Sequence, residues 1–242
     1  MKLIITGANG FVGRELVRQS LRSPAVTAVI ALSRQPLEIQ AEPGPDVDPS
    51  KLRNIVVGAY DQYSAETKAD FATADACIWT VAITPSKLTF YDWNEIHRVC
   101  YESPLAGFRA MLEARSSSTA TNNNTPFRFI YMSGARTERD QSKTPSFKPE
   151  YSLLRGKTET AVLALAKQHD LQTDACVVKP GLITAPNDFM KMALAYVLSW
   201  TISLPSIGVN EISSAMLNQS ILGFEKDTLE KDDLVRLGKG GS

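Results

Sequence analysis

A glycine turn directly after a short apolar run at the N-terminus constrains this chain more than any other feature. Residues 2–6 are apolar enough for a buried strand, and three evenly spaced glycines then open a helical stretch. Such glycines permit a tight strand-to-helix turn, a close approach of backbone to phosphate, and close helix–strand packing. The N–H groups at the start of the helix favour an anion. The turn predicts a dinucleotide site that includes Gly7, Asn9, Gly10, Phe11, Val12 and Gly13.

Short apolar runs alternate with helical stretches along most of the chain. Several runs are nearly continuous, which is typical of strands buried on both faces of a parallel sheet. The strand candidates are residues 2–6, 26–32, 54–57, 76–81, 127–132 and 173–179. The helix candidates are residues 10–22, 65–72, 91–115 and 149–169. This order predicts the α/β class, with a doubly wound parallel sheet and right-handed crossovers.

The alternation weakens near the C-terminus. We expect residues 1–185 to form the dinucleotide-binding domain, and residues 186–242 to form a small helical lobe of the same structural domain that closes over the carboxyl edge of the sheet. Residues 190–207 are apolar but interrupted by two serines and a proline. This pattern predicts a buried helix and its exit, without stable membrane insertion. Segments 35–50 and 116–126 have the composition of surface loops.

Charge and cysteine content exclude several classes of protein. The 242 residues carry 26 basic and 26 acidic side chains, which argues against binding nucleic acid or an anionic membrane through bulk electrostatics. Cys77, Cys100 and Cys176 are odd in number and far apart, with no Cys-x-x-Cys motif. They predict free thiols in a reducing compartment, hence a cytoplasmic protein. With only two histidines in the chain, no metal site is expected.

The segment TGANGFVG, residues 6–13, resembles the glycine turn of the short-chain dehydrogenase/reductase superfamily, in its extended and atypical branches. Those branches include sugar-nucleotide epimerase-like and NmrA-like proteins. The order of elements is similar to theirs over most of the chain. The resemblance implies a Rossmann fold, a nicotinamide dinucleotide as cofactor, and a site at the carboxyl edge of the sheet.

The end of the second strand candidate bears on which cofactor is bound. Ser33 and Arg34 follow Gly13 by about twenty residues. Where NAD enzymes of the superfamily carry a carboxylate, a hydroxyl and a guanidinium suit a 2′-phosphate, so we expect NADP(H). The end of the fourth strand candidate, with Ala82, resembles the stretch of the family that passes beneath the nicotinamide ribose. The third strand candidate is followed by Gly58 and Asp61 where the family often has Gly-Asp, so the family's adenine-contacting acid is either shifted or missing.

Two further places resemble the family's catalytic residues. Ser133 ends the fifth strand candidate, and Tyr151 begins the next helix. The family motif Tyr-x-x-x-Lys places a cation on the helix face of the phenol and lowers its pKa. Here Arg155 replaces the lysine, and Lys157 lies about 120° around the helix. The resemblance implies that Ser133 orients the reacting oxygen, Tyr151 exchanges a proton, and Arg155 positions the ribose. Alternatively, Arg155 and Glu159 form an i,i+4 surface pair.

The turn after the sixth strand candidate completes the predicted site. It resembles the family turn whose backbone engages the nicotinamide carboxamide, at Pro180, Gly181 and Ile183. We expect an NADP(H)-dependent oxidoreductase acting on a small carbonyl or alcohol, and the apolar residues 189–207 favour a hydrophobic one. Two alternatives are an epimerase, isomerase or dehydratase without net redox change, and a non-enzymatic NmrA-like dinucleotide sensor. A small-molecule substrate is the expected partner, nucleic acid is not, and a homodimer is left open.

Overall fold

The computed structural model describes residues 1–37, 47–117, 125–169, 172–185 and 206–239. Its strands are β1 (Lys2–Thr6), β2 (Ala28–Ser33), β3 (Leu52–Val56), β4 (Ala76–Trp79), β5 (Phe127–Met132), β6 (Thr173–Lys179), β7 (Leu182–Thr184), β8 (Ser206–Gly208) and β9 (Thr228–Glu230). Seven of them form one sheet in the order β3-β2-β1-β4-β5-β6-β9, and every neighbouring pair is parallel. The predicted doubly wound parallel sheet is confirmed. Strands β7 and β8 form a separate parallel pair.

Helices cover both faces of the sheet. They are α1 (Phe11–Arg22), α2 (Ala65–Ala72), α3 (Trp93–His97), α4 (Ser103–Ser116), α5 (Pro149–Gln168), α6 (Val209–Leu222) and α7 (Lys231–Lys239). A π-helical turn at Arg98–Glu102 joins α3 to α4. The helix predicted over 91–115 is therefore a continuous helical segment, made of α3, the π-helical turn and α4. Such π-helical turns are frequent at functional sites. None of the described helices is both long and apolar enough to cross a membrane.

Alternate residues of β1 enter two separate cores, because successive side chains of a strand point to opposite faces. Leu3 and Ile5 are fully buried against the apolar faces of α1 and α6. Ile4 is fully buried on the other face, in a core that includes Phe108 of α4 and Val162 of α5. Burial on both faces explains why β1 reads as a continuous apolar run rather than an alternating one.

The described part of the C-terminal region continues the sheet and its helical layer. Strand β9 pairs with β6, with Thr228 opposite Val177. On α6, Ile212 and Met216 are fully buried in the same core as α1. We expected residues 186–242 to form a helical lobe over the carboxyl edge, but residues 206–239 bury an apolar helix face and extend the sheet instead. Residues 186–205, which include most of the helix predicted at 190–207, lie outside the described residues.

The sheet order creates a crevice between β1 and β4. Strand β1 pairs with β2 on one side and with β4 on the other. Consecutive connections therefore leave the two sides of β1 in opposite directions, and their loops diverge at its carboxyl end. In open α/β sheets this switch point is where ligands bind.

Candidate functional site

A cleft with a volume of about 590 Å³ opens at the carboxyl ends of β1, β2, β3 and β4. Several of the predicted cofactor residues line it, namely Gly7, Asn9, Gly10, Ser33, Arg34 and Ala82. The glycine turn, the end of β2 and the end of β4 thus form one concave surface at the switch point of the sheet.

The glycine turn is held by very close backbone packing. Gly7 has a φ of +71°, which favours glycine, and a Cβ there would lie 2.7 Å from Oγ1 of Thr80. A Cβ on Gly13 would lie 2.2 Å from the carbonyl oxygen of Gly7. Helix α1 begins after Gly10, which supplies no side-chain cap, so N–H groups of the first turn remain for an anion. This arrangement fits a pyrophosphate group.

The end of β2 presents a guanidinium to the cleft. Arg34 is exposed, whereas Ser33 is buried and its hydroxyl donates to the carbonyl of Gln35 at 2.5 Å. The Asn9 side-chain amide donates to the same carbonyl at 2.7 Å and so ties the glycine turn to the end of β2. Burial raises the pKa of the neighbouring Tyr60 phenol, and the charge of Arg34 lowers it in part.

The segment after β4 contributes another part of the lining, including Lys87, Tyr91, Glu95 and Arg98. Arg98 donates to both carboxylate oxygens of Glu95 at 2.8 Å. It also donates to Oδ2 of Asp61 at 3.2 Å. Asp61, the acid nearest to the position where the family contacts adenine, is therefore already paired with Arg98.

Tyr151 lies behind the cleft wall. Its side chain is 8% exposed, and its hydroxyl donates to the carbonyl of Ile83 at 2.8 Å. Ile83 itself lines the cleft, whereas Tyr151 is not among the lining residues. Burial raises the pKa of the Tyr151 phenol, and the charge of Arg155 lowers it in part. Ile83 therefore separates the Tyr151 phenol from the cleft, and the phenol donates its hydrogen bond to the Ile83 carbonyl.

Arg155 is a buried cation between two aromatic rings. It is 2% exposed, and its guanidinium carbon lies 5.1 Å from the ring centroid of Tyr131 and 6.0 Å from that of Tyr151. Its Nη2 donates to the carbonyl of Met132 at 2.7 Å. Its Nε and Nη1 have no hydrogen-bond partner among the described residues. The alternative of a surface pair between Arg155 and Glu159 is wrong, because both side chains are buried and Glu159 binds other residues.

Ser133, which we expected to orient the reacting oxygen, instead contacts the carboxylate of Glu159. The Ser133 hydroxyl donates to Oε1 of Glu159 at 2.5 Å. Glu159 is fully buried, and Arg139 donates to its other oxygen at 2.7 Å. Ser133 is 9% exposed and, like Tyr151 and Arg155, does not line the cleft. None of the three predicted catalytic residues therefore lines the cleft; Arg155 lies beside the Tyr151 ring and bonds to the carbonyl of Met132, next to Ser133, whose hydroxyl is bound to Glu159.

The remaining predicted cofactor residues do not line the cleft. In the first turn of α1, Phe11 is exposed while Val12 is buried in the core. After β6, the Pro180 carbonyl accepts a hydrogen bond from the Ala135 N–H at 3.1 Å. Gly181 leads into β7, where Ile183 pairs with Ile207 of β8. The structure therefore places these residues around the site and leaves their contacts with a cofactor as a prediction.

Sequence reasoning missed two groups of site residues. The first consists of Lys87, Tyr91, Glu95 and Arg98, on a segment (residues 84–101) that we expect from the sequence to govern substrate specificity but that carries no recognisable motif to single them out. The second is Glu159, whose spacing of four from Arg155 suggested a helix-surface partner. The sequence carried no signal for the burial of Glu159, because its neighbours Thr158 and Thr160 are polar and Arg155 and Gly156 occupy the preceding turn.

A parallel sheet of this order, with a glycine turn and a cleft at the switch point, defines a dinucleotide-binding protein of the Rossmann class. The model of the NAD dependent epimerase/dehydratase family matches residues 3–203, so the chain belongs to that family. The resemblance to extended short-chain dehydrogenases is thereby confirmed. Family and fold together make the protein an NAD(P)-dependent enzyme of the oxidoreductase or epimerase type. No curated protein sequence matches the chain.

Solved structures with this fold include MoeE5 in complex with UDP-glucuronic acid and NAD, with a TM-score of 0.67, 15% identity, and coverage of 95% of this chain and 75% of that one. Serine dehydrogenase from Escherichia coli has a TM-score of 0.66 and 16% identity, covering 95% and 96%. A short chain dehydrogenase from Burkholderia cenocepacia J2315 in complex with NADP has a TM-score of 0.64 and 17% identity, covering 99% and 91%. At these identities the likeness shows the fold.

Proposed function

We propose that this protein is an NADP(H)-dependent oxidoreductase that acts on a small hydrophobic carbonyl or alcohol. The observation that carries the cofactor choice is the exposed guanidinium of Arg34 at the edge of the cleft. Among the described lining residues, the carboxylate is that of Glu95, and Arg98 engages both of its oxygens. An exposed cation with no uncommitted carboxylate among the described lining residues suits the 2′-phosphate of NADP rather than the ribose hydroxyls of NAD.

The described residues would hold such a cofactor in three places. The glycine turn and the N-terminus of α1 would bind the pyrophosphate through backbone N–H groups. Ser33 and Arg34 would bind the adenosine end, and Ala82 would contact the nicotinamide half. When bound, the nicotinamide supplies or accepts the hydride. The protein contributes the orientation of the substrate and the movement of one proton.

In this proposal Tyr151 moves the proton. Its phenol lies behind Ile83, and its hydrogen bond to the Ile83 carbonyl is exchanged for one to the substrate oxygen. Catalytic hydrogen bonds are often differently aligned before substrate binds. The buried cation of Arg155 favours the phenolate form and so assists proton release from Tyr151. Because a guanidinium does not release a proton, Arg155 acts through its charge alone.

The apolar character of the substrate is supported by the residues near Tyr151. Val81, Ile83 and Val99 line the cleft. Phe90 and Trp93, on either side of the lining residue Tyr91, are 78% and 42% exposed. These side chains suit an uncharged, hydrophobic molecule better than a sugar nucleotide.

Cofactor preference is tested by titrating the purified protein with NADPH and NADH in a calorimeter. Arg34→Glu is expected to weaken NADPH binding at least about tenfold, because it replaces a charge-assisted contact with repulsion, and to leave NADH binding nearly unchanged. Arg109→Glu is the matched control, since Arg109 is an exposed arginine of α4 outside the cleft. Equal losses for both cofactors in Arg34→Glu would contradict the assignment.

Chemistry is tested by following NADPH absorbance with a panel of small ketones, aldehydes and alcohols. We expect turnover of at least one hydrophobic carbonyl or alcohol and a loss of about a hundredfold or more in Tyr151→Phe, which keeps the ring but removes the proton. Tight NADPH binding without oxidation on any substrate, unchanged by Tyr151→Phe, would reject the oxidoreductase proposal.

Two alternatives rest on specific observations. The hydroxyls of Tyr151 and Ser133 donate hydrogen bonds to the Ile83 carbonyl and to Glu159. This engagement within the protein suits a dinucleotide sensor that performs no chemistry. A sensor predicts unequal NADP⁺ and NADPH affinities and indifference to Tyr151→Phe. The family assignment and the non-releasing cation at Arg155 suit an epimerase or dehydratase, which predicts turnover without net change in nicotinamide absorbance.

A further inference from the structure

Glu159, in the middle of α5, is a carboxylate with no exposed surface. The proposed reaction assigns it no role. Its Oε1 accepts hydrogen bonds from the hydroxyls of Ser133 and Thr137. Its Oε2 accepts one from Nε of Arg139 at 2.7 Å, and Nζ of Lys179 lies 3.9 Å away. We call these five residues the Glu159 cluster. Burial of a charge is costly unless it is paired and hydrogen-bonded, and here it is both.

The cluster fixes the direction of the Ser133 hydroxyl. A serine has one hydrogen to donate and two lone pairs that accept. As the anionic partner of Arg139 and Lys179, Glu159 offers acceptor atoms only. The single hydrogen of Ser133 is therefore committed to Glu159, and the lone pairs of Ser133 are what remains for another group.

Contacts from three other elements hold Glu159 in place. Arg139 also donates to Oγ1 of Thr228 on β9, at 2.9 Å. Lys179, at the end of β6, lies 3.8 Å from Glu230. Gly156, one turn before Glu159, lets the loop approach α5 so closely that a Cβ there would lie 1.8 Å from the Glu138 carbonyl. The carboxylate is thus positioned by β6, β9 and the loop after β5.

We propose that Glu159 is a positioning residue that makes Ser133 a hydrogen-bond acceptor toward the substrate, so that the site binds the hydroxyl form of its substrate more tightly than the carbonyl form. A substrate hydroxyl donates to the free lone pair of Ser133, whereas a carbonyl oxygen meets an acceptor there and gains nothing. This inference rests on the proposed function for the place of the substrate, beside Ser133 and Tyr151.

Replacement of Glu159 by glutamine reverses this polarity. A carboxamide has one accepting and one donating end. Arg139 requires the accepting end, so the amide NH₂ of Glu159→Gln faces Ser133 and donates to it. The Ser133 hydrogen is then free to turn toward the substrate, and Ser133 becomes a donor that favours a carbonyl oxygen.

The first experiment needs no substrate. Ser133→Cys places a thiol beside Glu159, while Cys77, Cys100 and Cys176 are buried and free. The pH dependence of alkylation by iodoacetamide gives the pKa of the introduced thiol. We expect that pKa to fall by about one unit or more in Ser133→Cys/Glu159→Gln, because a neighbouring anion disfavours the thiolate. Ser133→Cys/Glu138→Gln is the matched control, since Glu138 is paired with Lys143 at the surface, and no fall is expected there.

The second experiment uses the alcohol and carbonyl of the pair that the wild-type protein interconverts. We expect the ratio of their Michaelis constants to change by about tenfold in favour of the carbonyl in Glu159→Gln, which corresponds to one hydrogen bond. In a Ser133→Ala background, the same change at Glu159 leaves the ratio unaltered. A merely structural role of Glu159 would lower the turnover number and leave this ratio constant in both backgrounds.

The outcomes separate this inference from the proposed function. An unchanged thiol pKa in the double variant overturns the role of Glu159, whatever the protein's activity. A fall in the thiol pKa with no turnover of any pair upholds the Glu159–Ser133 coupling and rejects the oxidoreductase. If Glu159→Gln does not fold, as judged by circular dichroism, Ser133→Cys is compared with Ser133→Cys/Glu159→Asp, which leaves the thiol in the same buried position and withdraws the carboxylate by one methylene. A lower thiol pKa in the double variant supports the inference, and an equal or higher one overturns it.

Discussion

The guanidinium carbon of Arg155 lies 5.1 Å from the ring centroid of Tyr131, and among the described residues no carboxylate forms an ion pair with it. Within the described residues, the nearest acid on the same helix, Glu159, is taken up by Arg139 and the Ser133 hydroxyl. Arg155 is therefore a buried charge stabilised by ring faces and one carbonyl. Burying this charge costs free energy of folding. The role proposed for Arg155 beside Tyr151 would explain why it is kept there.

The stability cost of Arg155 is measurable. Arg155→Met is expected to leave the free energy of unfolding unchanged or raise it by about 1 kcal/mol, because it removes a buried charge and keeps most of the volume. Arg155→Ala is expected to lower it by about 2–4 kcal/mol through the cavity it leaves. Urea denaturation followed by circular dichroism gives both values. Equal destabilisation by the two substitutions would show that the guanidinium itself stabilises the fold.

The close approach at Gly156 predicts a strong effect of one added methyl group. Gly156→Ala is expected to lower the free energy of unfolding by at least about 2 kcal/mol, since the new Cβ meets the Glu138 backbone and the loop must move. Gly58→Ala is the matched control, because nothing lies within 4 Å of its added Cβ. Thermal unfolding of both variants provides the comparison, and similar melting temperatures would contradict the expectation.

The glycine turn predicts a selective loss of cofactor binding. Gly13→Ala is expected to weaken NADPH binding by at least about tenfold, because its Cβ displaces the Gly7 carbonyl and with it the N-terminus of α1. Gly134→Ala, whose added Cβ meets nothing closer than 3.9 Å, is expected to bind NADPH like the wild type. Fluorescence titration with NADPH measures both affinities. Wild-type affinity in Gly13→Ala would mean that the turn is not the phosphate site.

Buried thiols and phenols predict a loss of stability in alkali. Burial raises the pKa of the Cys176 thiol from 9.0 to about 12, and it raises the pKa of the phenols of Tyr60 and Tyr151. These groups ionise more easily in the unfolded chain, so their contribution to stability is complete below about pH 9. It declines as the pH rises from there toward 12.

The measurement is the melting temperature from pH 7 to pH 12, with phenolate absorbance recorded in parallel. The melting temperature is expected to fall above about pH 9, and the buried phenols to ionise together with unfolding. Cys176→Ala should flatten part of this decline, because only the thiol is removed from the titration. A melting temperature that stays constant up to pH 12 would contradict the assigned burial of these groups.

Features that depend on local chemistry could be predicted from the sequence. The turn between β1 and α1 was predictable because the roles of Gly7 and Gly13 follow from backbone geometry within a few residues. Strands β5 and β6 were predicted to the residue, since each is an apolar run bounded by polar or turn residues. The cleft position followed from the order of the elements alone.

Features that depend on tertiary packing could not be predicted. Glu159 lies four residues after Arg155, and this spacing alone favours a pair, yet the two side chains turn to different partners once α5 is buried. Strand β9 has three residues, of which Leu229 is fully buried. So short a segment has no periodicity to distinguish it from a loop. In both cases the missing information is which face of an element the rest of the chain covers.

The bond between Arg139 and Thr228 joins residues that are 89 positions apart, which has a consequence for biosynthesis. A ribosome adds about 5–20 residues per second, so Thr228 emerges on the order of ten seconds after Arg139. Until then the earlier strands of the sheet can assemble around β1, but Arg139 lacks one of its anchors beside Glu159. The surroundings of Ser133 are consequently among the last parts of the protein to acquire their final form on a nascent chain.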